Sequence, residues 1–164
     1  MMNDVYNKLN NWLDKSQGKE IVLDQKRPRA FERVKRHTPQ DITEFEVKTG
    51  KPLPQPYATF LKDVGACRLF LLGGIGVEFL CLDEMAAFYT LAFPGEDFND
   101  VDFLLPVTIS AYGSHLLMRS DGKIALSDVD MLPEDWDEFL ESWVDFDEWL
   151  SHLVNSGGNY FYGL

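Results

Sequence analysis

Little in this sequence can bind a metal, close a disulfide or supply a catalytic nucleophile. Cys67 and Cys81 are its only cysteines, which excludes a disulfide framework or a multi-thiolate zinc site; both read as small buried apolar residues. Its three histidines, His37, His115 and His152, have no partner histidine at metal-ligand spacing, and no HExxH, GxSxG, CxxC or P-loop occurs. "GGIG" at residues 73–76 lacks the spacing of a dinucleotide-binding loop and reads as a turn. The pairs Asp135 and Asp137, and Asp145 and Asp147, could hold a divalent ion or act as acid and base, yet nothing in the sequence brings one pair to the other. No metal, cofactor or catalytic residue is therefore expected, and His115 reads as a polar surface residue. No apolar run approaches the ~18 residues of a membrane span. Residues 1–15 are too polar and mixed in charge for a signal peptide, so a cytoplasmic protein without membrane insertion is expected.

Basic residues are scarce too, but only in part of the chain. Residues 1–60 carry eleven Lys or Arg against eight Asp or Glu, a net of +3, whereas residues 61–164 carry four against nineteen, a net of −15. Residues 121–150 hold eleven acids and a single base, Lys123. Such a surface repels nucleic acid and attracts basic partners at salt-dependent rates, or simply keeps the protein soluble. The bases at Lys26, Arg27, Arg29, Arg33, Lys35 and Arg36 read as a connector that pairs with the acidic half or is solvated, rather than as a nucleic-acid site.

What is present is ordinary globular material: 164 residues, 45 % apolar and 26 % charged, with 13 % aromatics. This suits one domain with a dense core. Val5, Leu9, Trp12 and Leu13 recur at helical spacing. Thr38, Pro39 and Asp41 form the capping box of a second helix, and Gly50 stands where a left-handed residue would end it. Leu53 then faces inward, Pro54 and Pro56 stiffen the turn, and Tyr57, Phe60, Leu61 and Val64 give a third helical stripe. Strands are expected at residues 67–72, 77–82, 104–109, 116–119 and 123–126, the last two joined by an Asp121-Gly122 hairpin turn. Asp83 reads as the cap of a helix ending before Pro94 and Gly95. Asp145 with Glu148 reads as the capping box of a last helix, with Val144 and Trp149 as its hydrophobic staple.

The order of these features resembles the SMI1/KNR4 family, the SUKH superfamily. Glu46, Gly50, Leu53, Pro54, Tyr57, Phe60 and Leu61 stand in the register of its hinge motif. "FLCLDEM" looks like its strand entering a middle helix, "LLPVTISAYGSHLLMRSDGKIAL" like its strand, glycine loop at Gly113 and hairpin, and "DFDEWLSHL" like its closing helix. The resemblance implies an α+β fold: a curved antiparallel β-sheet of about five to six strands flanked by helices. In one domain of residues 1–164, residues 1–38 would be an N-terminal helix and basic connector, 39–154 the core and 155–164 a tail.

The resemblance also implies a non-catalytic binding protein. Many bacterial members look like immunity proteins that bind and neutralise a cognate toxin, often a nuclease; the alternative is a regulatory or scaffold protein with a housekeeping partner. An acidic surface suits the first, because a nuclease groove is basic. The candidate partner-binding residues are Asp128, Asp130, Glu134, Asp135, Trp136, Asp137, Glu138 and Glu141, with Trp136, Trp143, Tyr160 and Tyr162 as candidate aromatic anchors. Core positions are the opposing reading for the two tryptophans, Trp143 above all.

Overall fold

Eight strands form one antiparallel sheet in which every strand pairs with its neighbours in sequence, three more than the apolar pattern predicts. The computed structural model describes residues 1–23, 27–109, 114–127, 132–136 and 143–159. Its strands are β1 Glu20–Val22, β2 Pro28–Lys35, β3 Ala66–Leu72, β4 Ile75–Phe79, β5 Leu104–Ile109, β6 Ser114–Met118, β7 Lys123–Ser127 and β8 Val144–Asp145. The described helices are α1 Met2–Ser16, α2 Pro39–Thr49, α3 Gln55–Asp63, α4 Leu82–Ala92 and α5 Phe146–Asn155. None is long and apolar enough to cross a membrane.

The basic connector is in fact the start of the sheet. Pro28 opens β2, where a missing N–H costs no ladder bond, and Phe31 is buried while Arg33 and Lys35 alternate with exposed Val34. Their aliphatic stems cover apolar surface and only the heads need water, so a basic composition conceals a strand.

The α2 capping box forms as the sequence predicts: Thr38 Oγ1 accepts from the Asp41 N–H at 3.1 Å, and Asp41 Oδ2 accepts from the Thr38 N–H at 2.8 Å. Two other predicted caps do not. Cys81, not Asp83, is the N-cap of α4 and makes no side-chain bond, while Asp83 sits in the first turn, where a carboxylate faces the positive end of the helix dipole. Asp145 is the N-cap of α5 but makes no side-chain cap bond. It belongs to β8, paired with Lys123, and the helix begins where that strand ends.

The core lies where α3 and α5 meet the sheet. The Phe60 ring stands 4.6 Å from Phe79 and 5.7 Å from Phe146, and Tyr57 is 5.7 Å from Phe146. Tyr57, fully buried, has its hydroxyl within reach of the Leu80 and Pro106 carbonyls at 3.3 and 3.4 Å. α1 packs on α5 and β2, with Trp12 laid 5.3 Å from Phe31. At "GGIG", Gly73 and Gly74 take φ of 59° and 83° between paired Leu72 and Ile75, the two-residue hairpin for which glycine is suited.

Candidate partner interface

The hinge motif gathers into one corner. Gly50, at φ 68°, ends α2 and donates its N–H to the Glu46 carbonyl, and the Glu46 carboxylate accepts from the Leu53 N–H at 2.8 Å. Leu53 and Pro54 are buried, and Pro54 and Pro56 abut Gly122 at the β6–β7 turn. Gly113 lies outside the described residues.

Beside this corner the chain between α4 and β5 builds an acidic ledge. Phe98, in a 3-10 turn at Phe98–Asp100, is buried against Phe45 and Tyr89 at ring distances of 6.4 and 5.5 Å. That anchor leaves Glu96, Asp97, Asp100 and Asp102 exposed. Lys51 is the base among them, and it is already engaged: its ammonium lies 5.0 Å from the Phe98 ring and donates to the Val101 carbonyl. Burial holds Lys51 below the usual lysine range, partly offset by Asp102, Asp100 and Asp97. A cleft of about 320 Å³ separates the hinge from this ledge, lined by Gly50, Asn99, Asp102, Leu104, Met118 and Ser120 among others.

Trp136 joins a second acidic segment to the first. It is 0 % exposed, with its ring edge-on to Phe93 at 5.4 Å and to Phe103 at 5.5 Å. Phe93 and Phe103 flank the 96–102 ledge in sequence, so the same indole fixes both ends of the ledge and holds Glu134, exposed, and Asp135, half-exposed, beside it. This corrects the reading of Trp136 as a surface anchor: it is the buried pin beneath the acidic surface. Trp143 is the more open of the two, half-buried, stacked on Phe103 at 5.8 Å with the Arg119 guanidinium 4.9 Å from its ring. Asp128, Asp130, Asp137, Glu138, Glu141, Tyr160 and Tyr162 lie outside the described residues.

Among the described residues, Glu96, Asp97, Asp100, Asp102, Glu134 and Asp135 form no ion pair, whereas the bases of β2 and β3 do. Arg33 binds Asp14 at 2.8 Å, Lys35 lies 3.4 Å from Asp83, and Arg68 bridges Glu32 and Glu78 at 3.2 Å each. Of the connector bases, Lys35 pairs with Asp83 of the acidic half, whereas Arg33 takes Asp14 of α1. The ledge and the Trp136 segment thus carry a share of the unpaired negative charge, facing solvent.

His115 is also not a surface residue. It is half-buried in β6, with Phe88 at 5.3 Å and Phe93 at 6.1 Å, and its Nδ1 is enclosed without a partner among the described residues. Burial pushes its pKa down. Among the described residues no group of three or more His, Cys, Asp or Glu side chains comes together to hold a metal ion. The acids of residues 96–102 are visible in the sequence, but their link to Trp136 depends on aromatic contacts between distant segments, which no spacing reveals.

Residues 37–152 match the profile of the SMI1 / KNR4 family (SUKH-1), and the chain belongs to that family. It is also 29 % identical over 161 residues to the immunity protein RhsIB of Dickeya dadantii strain 3937, an alignment that covers 92 % of this chain and 93 % of that protein.

Proposed function

We propose that this SMI1/KNR4 protein is an immunity protein: a non-catalytic cytoplasmic protein that binds a basic protein toxin and occludes its working surface. The observation that carries this reading is the likeness to an immunity protein along nearly the whole of both chains. A physical feature suits it. Six carboxylates, Glu96, Asp97, Asp100, Asp102, Glu134 and Asp135, lie without ion-pair partners among the described residues on the two segments that the buried Trp136 ring joins. Exposed unpaired charge of one sign accelerates encounter with a surface of the opposite sign and opposes it where the sign is the same. A nuclease toxin would present such a surface, since its groove must hold phosphates, and carboxylates can stand in their place. Nucleic acid itself would be repelled. Asp128, Asp130, Asp137, Glu138 and Glu141 belong to the same acidic stretch of sequence and are proposed partner-binding residues on that ground.

The test is co-expression with the toxin encoded beside this gene. A stable complex on size-exclusion chromatography and survival of the toxin-producing cells are expected. Cells that die with the protein abundantly present, or a pull-down that returns only a housekeeping partner, would overturn the reading.

A further inference from the structure

The first turn of α4 has no capping side chain of its own, since Cys81 makes no cap bond. An imidazole from elsewhere in the chain takes that place. His37, just before α2, has a side chain with 0 % exposure. Its Nε2 accepts from the Leu82 N–H, the first of α4, at 3.4 Å. Its own backbone N–H donates to the Leu61 carbonyl at 3.0 Å and fixes the ring's position. A ring nitrogen that accepts carries no proton, so in the neutral imidazole the proton is on Nδ1. That nitrogen lies 3.5 Å from Asp41 Oδ2, the carboxylate that caps α2. One ring therefore touches the N-terminal turns of both helices.

We propose that His37 is a helix cap supplied to α4 from outside the helix, effective only as the neutral imidazole, and that protonation at Nε2 frees the first turn of α4 from α2. A protonated Nε2 would face the Leu82 N–H donor to donor, at a helix end whose unsatisfied N–H groups already carry partial positive charge. The surrounding charges divide. From β2, Lys35 lies 3.9 Å from Asp41 and 3.4 Å from Asp83 and opposes a second cation; Asp41 on α2 and Asp83 on α4 favour one. α3 offers the Leu61 carbonyl, which the His37 backbone already uses. Burial, the largest influence, keeps the ring below the usual histidine range, so the clip holds at neutral pH and opens in acid.

Two measurements on the intact protein test this. Long-range proton–nitrogen NMR at about pH 7.5 should find the His37 proton on Nδ1; finding it on Nε2 would overturn the assignment. Amide exchange at residues 82–85, corrected for intrinsic rate, should rise about fivefold between about pH 7.5 and pH 5, as for loss of a helix cap. His37→Gln, whose amide oxygen can accept from the Leu82 N–H without titrating, should remove that rise. Equal responses in the two proteins, or no local rise in the parent, would sink the proposal. Should His37→Gln fail to fold, the tautomer and the parent's site-resolved exchange decide the matter alone.

Discussion

The carboxylate of Glu46, in the last turn of α2, accepts from the backbone N–H of Leu53 seven residues on, at 2.8 Å. This bond closes the turn on itself: the chain leaves α2 through left-handed Gly50, passes Pro52, and is returned to the helix it has just left. Leu53 is buried, and a buried backbone N–H must find a partner; an acceptor-only side chain on the preceding helix provides one. Glu46→Ala should cost about 1–3 kcal/mol, the range for leaving a buried donor unpaired. Glu46→Gln keeps an oxygen in place and should cost less. Urea titrations of the three proteins check this, and an alanine variant as stable as the parent would show that water satisfies Leu53 equally well.

How much of this was legible in the sequence depended on whether the cause was local. Thr38, Asp41 and Gly50 announce the limits of α2 because capping is decided within a few residues, and the Tyr57, Phe60, Leu61 and Val64 stripe is buried throughout. β2 was hidden because arginines and a lysine alternate around Phe31, and β1 because three residues, only Ile21 of them partly buried, leave no period to detect. β8 was hidden because two residues leave no period to detect. Asp145 and Glu148 have the spacing of a capping box, but the pairing of Asp145 with Lys123 overrides it. At the candidate interface, the charges could be read from composition, while the burial of Trp136 between Phe93 and Phe103 could not.

Replacing Asp100, Asp102 and Glu134 together by their amides should slow association with a basic partner about tenfold at low salt and leave dissociation nearly unchanged, the pattern of steering charges at an interface rim. The dependence of the association rate on ionic strength should flatten in parallel. Stopped-flow or surface-based kinetics with the co-expressed toxin would measure both. A change confined to the dissociation rate would place these carboxylates inside the contact rather than around it.

Trp136 offers the opposite signature. As a buried pin its truncation to alanine should cost about 3–5 kcal/mol, because Phe93 and Phe103 lose the ring they share. Trp143→Ala, at a half-buried site, should cost less. Were Trp136 a partner anchor, the alanine variant would keep its thermal midpoint and lose only affinity; denaturant melts alongside binding measurements distinguish the two cases.

Acid sensitivity should trace in part to His115. Its ring is enclosed by Phe88 and Phe93, and burial lowers its pKa in the folded protein, so below the free-histidine value of about 6.5 the unfolded chain binds the proton more readily. The stabilising contribution is complete above that value and is lost as pH falls through the folded pKa. Asp147 works the other way. Burial, then Asp145, raises its pKa, so folding gains stability as pH falls through the folded pKa of Asp147 towards the unfolded carboxylate value. His115→Phe keeps an aromatic ring against both phenylalanines and removes the titration. Its stability relative to the parent should therefore be nearly constant above about pH 7 and improve steadily between about pH 6.5 and 5. Urea midpoints across that range provide the measurement. A difference between the two proteins that does not vary with pH would mean that His115 holds its proton equally well folded and unfolded.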